Sequence, residues 1–146
     1  MILHAGLIAW RMGGAWRGAL VLGAAGAGKS DLMLRALDSG FRLVADDRTL
    51  VWRSDGRLFG RAPNRLNGLI ELRGVGVVQE PAVPLAEIGL AVRCEAGGGL
   101  DRMPDPAFEE IAGTQIQVLR VHALDASAPA KLGRALNRLG RGRGAA

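Results

Sequence analysis

The chain has 146 residues, 49% hydrophobic and 23% charged, a size and balance that fit one globular domain and exclude a disordered or fibrous chain. Its single cysteine, Cys94, excludes an intrachain disulfide. The net charge of +5 excludes a broad nucleic-acid footprint: Lys131, Arg134, Arg138, Arg141 and Arg143 stand with no acid among them, and without these five the 19 basic residues equal the 14 acids.

In chain order, residues 2–9 read as a strand with His4 inside it, and Met12 to Gly18, with Gly13-Gly14, as a turn. No basic region precedes the apolar N-terminal residues, and Arg11 follows them, which is the wrong order for a secretory signal. Charges interrupt every stretch long enough to span a bilayer, so the expectation is a cytoplasmic protein with no membrane contact. Ala19–Leu22 is a short apolar run of the kind that makes a buried strand, antiparallel to the first.

Gly23-Ala24-Ala25-Gly26-Ala27-Gly28-Lys29-Ser30 follows, matching G-x-x-x-x-G-K-[ST] at every required position. From Ser30 the pattern turns helical, with Asp31, Arg35 and Asp38 along one polar face and Gly40 as the stop. Strand, glycine loop and helix are the context in which this motif binds phosphate. Loop N–H groups and the helix N-terminus cradle the oxygens, Lys29 reaches the β/γ-phosphates, and the Ser30 hydroxyl ligates Mg²⁺. The sequence therefore predicts a nucleoside triphosphate site.

Phe41–Ala45 reads as a strand ending at Asp46-Asp47. In a parallel sheet its C-terminal end lies on the same edge as the phosphate loop. On residues alone, one carboxylate can act on the metal shell and the other as base, or both can cap a solvated turn. Ser54-Asp55-Gly56-Arg57 between apolar runs signals a hairpin, and Arg65 to Leu69 a helical turn. Residues 70–78 read as strand or bent loop into strand. There Glu71 and Arg73, at i and i+2, share a face that is open to a functional or a merely solvated reading. His4 is equally open to a surface or a catalytic role. Ile88–Cys94 is a further strand, Glu95–Pro106 a loop, Ile116–Val121 a late strand, and Ala128–Leu139 a helix with Pro129 near its start. The expected architecture is one α/β domain over 1–139 with a mixed, strand-rich sheet, followed by a disordered basic tail over 140–146.

Leu43-Val44-Ala45-Asp46-Asp47 after a phosphate-loop helix, with Leu69-Ile70-Glu71-Leu72-Arg73-Gly74-Val75-Gly76-Val77-Val78 beyond it, resembles HPr kinase/phosphorylase. His4-Ala5-Gly6 resembles the start of that family's catalytic domain, as in the family's short forms. The resemblance covers roughly residues 1–80. It implies a P-loop kinase fold of the phosphoenolpyruvate carboxykinase-like nucleotide-binding type. It further implies ATP and Mg²⁺ as cofactors, and a seryl hydroxyl of an HPr-type phosphocarrier as acceptor, in a phosphotransferase system. Carried over by position, His4 and Lys29 become active-site residues, Asp47 the proton acceptor, and Asp46 the first carboxylate of the pair. Ser30 and Glu71 become the magnesium contacts, and Arg73 part of the catalytic signature. A homo-oligomer is a further implication.

The chain departs from the family after Val78: the family's late arginine-rich segment has only an echo in Val118-Leu119-Arg120-Val121. Those late elements are associated with phosphorolysis, so kinase activity is the better supported of the two directions. The competing readings are a P-loop kinase of a small molecule, for which Arg93, Arg102 and Arg120 show no lid pattern, and an ATP-binding sensor without turnover.

Overall fold

The computed structural model describes residues 1–144, with side chains to Leu139. The strands are β1 (Ile2–Leu3), β2 (Gly6–Met12), β3 (Ala15–Leu22), β4 (Arg42–Ala45), β5 (Thr49–Ser54), β6 (Arg57–Arg61), β7 (Leu69–Leu72), β8 (Gly76–Gln79), β9 (Ala86–Cys94), β10 (Ala107–Ile111) and β11 (Thr114–Val121). Helix α1 spans Lys29–Asp38 and α2 Ala128–Gly144, with a 3-10 turn at Asn64–Leu66. The fold class is that expected, α/β with a mixed and strand-rich sheet. Of the basic tail expected over 140–146, residues 145 and 146 lie outside the described residues. Helix α2 is assigned through Gly144, where the sequence pattern stops it at Leu139.

Two-residue turns set the first hairpins. Gly13 and Gly14 both have positive φ, as do Asp55 and Gly56, the combination that matches the right-handed twist of paired strands. The turn the sequence spreads over Met12–Gly18 therefore contracts to Gly13-Gly14, and strand pairing runs to Met12↔Ala15.

The main sheet runs β1-β5-β6-β9-β3-β2-β4, with β11 pairing β9 and β10 pairing β11. Strand β3 is parallel to β9, and β9 to β11, whereas β2 is antiparallel to both β3 and β4. Hence β3, β4, β9 and β11 all end at one edge, and β2 begins there. Alternation along each strand divides the apolar residues between two faces. Ile8, Val21, Leu90 and Val92 pack under Leu32, Met33 and Ala36 of α1 and Leu132 and Leu136 of α2. Leu7, Leu20, Ile88 and Ala91 pack against Val51, Leu58, Ile116 and Val118 on the other side. Both faces are covered, which is why the central strands read as nearly unbroken apolar runs.

Among the described residues, buried charge is confined to one place. Glu87 is 8% exposed, and Arg57 holds it at 2.8 Å and Arg17 at 3.7 Å. That pairing ties β6 to β3 and β9 at the end of the sheet away from the phosphate loop, and it raises the Arg57 pKa.

Candidate active site

The phosphate loop leaves β3 at Leu22 and enters α1 at Lys29. Gly23, Gly26 and Gly28 have φ of 154°, 83° and 92°. Two of these glycines are fixed by contact as well as by conformation. A Cβ on Gly23 would sit 2.9 Å from the Cys94 carbonyl oxygen, and one on Gly28 would sit 3.1 Å from both Ala123 Cβ and Leu124 Cδ2. The loop is thus pressed against the ends of β9 and β11, while Ala24, Ala25 and Gly26 face solvent. Lys29 Nζ donates to the Gly23 carbonyl at 2.5 Å, folding its side chain back along the loop it would serve. Ser30 is exposed in the first turn of α1.

Register brings the other candidates to the same edge. Gly6 pairs with Val21, and Leu7 with both Leu20 and Ala45. Residues just before β2 and just after β4 therefore flank the loop. The sequence places His4 inside one strand; the structure breaks the chain there, between β1 and β2, and leaves His4 exposed. The break has a cause. Strand β1 turns away to pair β5, and Thr49 Oγ1 donates to the Ala5 carbonyl at 2.7 Å, so one strand cannot serve both partners.

Asp46 and Asp47 follow β4 directly and separate in role. Asp46 is half-buried, and its Oδ2 accepts the Glu71 N–H at 2.9 Å. Burial raises its pKa, the Glu71 N–H opposes this, and the charges of Asp47 and Glu71 add to the rise. Asp47 is exposed at φ 63°, the left-handed region that Asp tolerates better than most residues. Asp46 thus anchors the β7–β8 hairpin to this edge, and Asp47 presents a carboxylate to solvent.

The reading of Glu71 and Arg73 as one strand face is corrected. Residues 73–75 form the turn between β7 and β8, with Leu72 pairing Gly76, so Arg73 sits on the hairpin tip and only Glu71 belongs to the strand. Gly74 and Gly76, both at positive φ, close that turn. Among the described residues, no group of three or more His, Cys, Asp or Glu side chains is placed to hold a metal ion on its own. Asp46, Asp47 and Glu71 interact by charge without converging as a cage. The oxygen donors at this edge suit a cation that brings further ligands of its own.

Sequence reasoning passed over three supports of the loop. Arg35 bonds Asp31 at 2.8 Å and donates to the carbonyls of Asp125, at 2.9 Å, and Ala123, so α1 grips the turn that follows β11. Cys94 is buried beneath Gly23; burial raises its pKa, and the Lys29 charge lowers it in part. Arg120 pairs Glu95 at 2.5 Å across the ends of β11 and β9. Arg35 carries a sequence signal only as the i+4 partner of Asp31; carbonyl capture leaves none.

Known proteins resemble this chain in sequence and in fold. Residues 13–83 match the family model described as the HPr Serine kinase C-terminal domain, a span that holds the phosphate loop, Asp46-Asp47 and the β7–β8 hairpin and omits His4. The chain is 31% identical over 115 residues to the HPr kinase/phosphorylase of Clostridium perfringens strain 13, covering 71% of this chain and 38% of that protein. With the HPr kinase/phosphorylase of Limosilactobacillus reuteri strain DSM 20016 it is 33% identical over 129 residues, covering 82% of this chain and 39% of that protein. The chain thus spans well under half the length of these curated relatives. The solved structure of the Hpr(Ser) kinase/phosphatase from Coxiella burnetii matches with a TM-score of 0.80 over 99% of this chain and 93% of that one, at 24% identity, which shows the fold to be shared. No helix among the described residues is long and apolar enough to cross a membrane.

Proposed function

We propose that this chain, which belongs to the HPr kinase/phosphorylase family, transfers the γ-phosphoryl group of ATP to a seryl hydroxyl of an HPr-type phosphocarrier, with Mg²⁺, in the cytoplasm. The observation that carries this reading is the convergence at one sheet edge of Lys29, Ser30, Asp47 and Glu71, from segments far apart in sequence.

Each part has a chemical task. The N–H groups of Gly23 to Ser30 and the start of α1 hold the phosphate oxygens. Lys29 gives up the Gly23 carbonyl and turns to the β/γ-phosphates, a swap of one oxygen acceptor for a charged one. Magnesium fits the donor set, because it takes one or two protein oxygens plus phosphates, here from Ser30 and Glu71. Bound there, it would neutralise charge developing on the transferred group. Burial first, and then the charges of Asp47 and Glu71, raise the Asp46 pKa; it is the second of these that supports the fit, since this edge crowds acids whose mutual repulsion a cation relieves.

Asp47 is the base. Its carboxylate has no ion-pair or hydrogen-bond partner among the described residues, so it is free to accept a proton. It takes the proton of the incoming serine as the Oγ–P bond forms and the bond from the γ-phosphorus to the β–γ bridging oxygen breaks, releasing ADP. In the reverse, phosphorolytic direction the same group, protonated, would donate. His4, on the β1–β2 break, and Arg73, on the hairpin tip, complete this reading as polar groups for the acceptor and the transferred phosphoryl.

The test is direct. With Mg²⁺ and ATP, the protein should add the mass of one phosphate to a serine of a cognate HPr-like carrier, and Asp47→Asn should lower the rate by about two to four orders of magnitude. A carrier unchanged under every nucleotide and metal condition overturns the reading.

A further inference from the structure

Beside Asp47 lies a groove of about 360 Å³ that the chemistry above leaves unused. It is lined by Ile2, Arg48, Pro63, Asn64, Arg65 and Leu66. Its walls continue the candidate site by sequence: Arg48 follows Asp47, and Ile2 lies two residues before His4. Its lining is largely apolar, with Ile2 61% and Leu66 37% exposed. Arg61 donates to the Asn64 Oδ1 at 2.9 Å, a bond that links the 3-10 turn to the end of β6. The side chains of Arg48 and Arg65 are exposed and have no ion-pair or hydrogen-bond partner among the described residues.

Charge is therefore divided across a single residue step. Asp46, Asp47 and Glu71 put carboxylates on one side of that step, where Lys29 and Arg73 also lie, and Arg48 and Arg65 put only guanidinium groups on the groove side.

We propose that this groove docks the protein substrate through a segment next to its serine that carries an apolar side chain and a carboxylate. The inference rests on the function proposed above and specifies how its acceptor is recognised. The apolar side chain fills the space between Ile2, Pro63 and Leu66, and the carboxylate meets Arg48 and Arg65.

The test measures carrier binding by calorimetry with a non-hydrolysable ATP analogue, alongside turnover. Arg48→Glu, Arg65→Glu and Leu66→Ser should each weaken carrier binding about tenfold or more and leave the nucleotide Kd unchanged. Added salt should weaken the wild type more than the double charge reversal. A carrier with its acidic residue near the serine changed to lysine should regain binding to Arg65→Glu.

The outcomes separate the two readings. Turnover with unaltered carrier affinity in all three variants overturns the groove and leaves the kinase reading intact. Carrier binding that depends on the groove but gives no turnover supports the groove and overturns the kinase reading. Variants that change only self-association in sedimentation assign the groove to a second copy of the chain and overturn the proposal, as does a wild type that does not bind the carrier at all.

Discussion

Asp46 and Asp47 are neighbours of one residue type with unlike surroundings, and the difference gives each a separate test. The folded protein binds the Asp46 proton more tightly than the unfolded chain does, first because of burial and then because of Asp47 and Glu71. The stabilising contribution of the protonated form is complete below the ordinary carboxylate value of 3.8 and is lost as pH rises through the folded value. Asparagine keeps an oxygen to accept the Glu71 N–H and removes the charge. Asp46→Asn should therefore melt close to the wild type at acidic pH and above it at neutral pH, the gap widening as the wild-type carboxyl ionises. Thermal scans across that range check this; a gap that stays flat or narrows shows that Asp46 is at no electrostatic cost in the fold. A stabilising change at such a position is expected of a carboxylate kept for function rather than for folding.

At the scale of elements, the loop between β3 and α1 separates conformational strain from crowding. Gly26 and Gly28 have similar positive φ, but a Cβ on Gly26 meets nothing within 4 Å, whereas one on Gly28 meets Ala123 and Leu124 at 3.1 Å. Gly26→Ala should cost only the left-handed conformation, about 1–2 kcal/mol. Gly28→Ala should cost more and raise the nucleotide Kd by about tenfold or more, because the turn after β11 must move. That turn is held by Arg35 through two carbonyls, so Arg35→Met should lessen the difference between the two glycine variants. Equal costs in the parent protein mean that the turn yields freely.

The same elements show what sequence can disclose. The phosphate loop, Asp46-Asp47 and the Asp55-Gly56 turn are legible because their geometry is carried by adjacent residues. The place of His4 is not, because it follows from β1 pairing with β5, some forty-five residues later in the chain. Strand β10 is missed for a related reason: Ala107–Ile111 lacks clean alternation and exists by pairing β11 across the Ala112-Gly113 turn, both residues at positive φ. Arg73 is misplaced because a three-residue turn and a continued strand look alike where glycines punctuate every second position. Even so, the edge predicted for Asp46-Asp47 is the right one, though β2 intervenes between β3 and β4.

For the whole molecule, strand order makes one edge answer for all parts. Strands β3, β4, β9 and β11 end there, β2 begins there, and α1 starts there with its own turn clasped to the chain leading into α2. A ligand held at Gly23–Ser30 therefore bears on both cores rather than on a loose loop. It should stabilise the domain as a unit by mass action, about 2.7 kcal/mol at a hundred times its Kd. For a domain of this size that is roughly a 5–10 °C rise in Tm. The shift should appear with ATP and Mg²⁺, shrink when the metal is chelated, and vanish in Lys29→Met, whose loss in the free protein is a single bond to Gly23. One cooperative transition that moves upward intact is the expected trace. A second, unmoved transition in the presence of nucleotide shows instead that the sheet edge and the rest of the domain melt separately. That result removes the argument that the parts of the site are held in register by a common sheet.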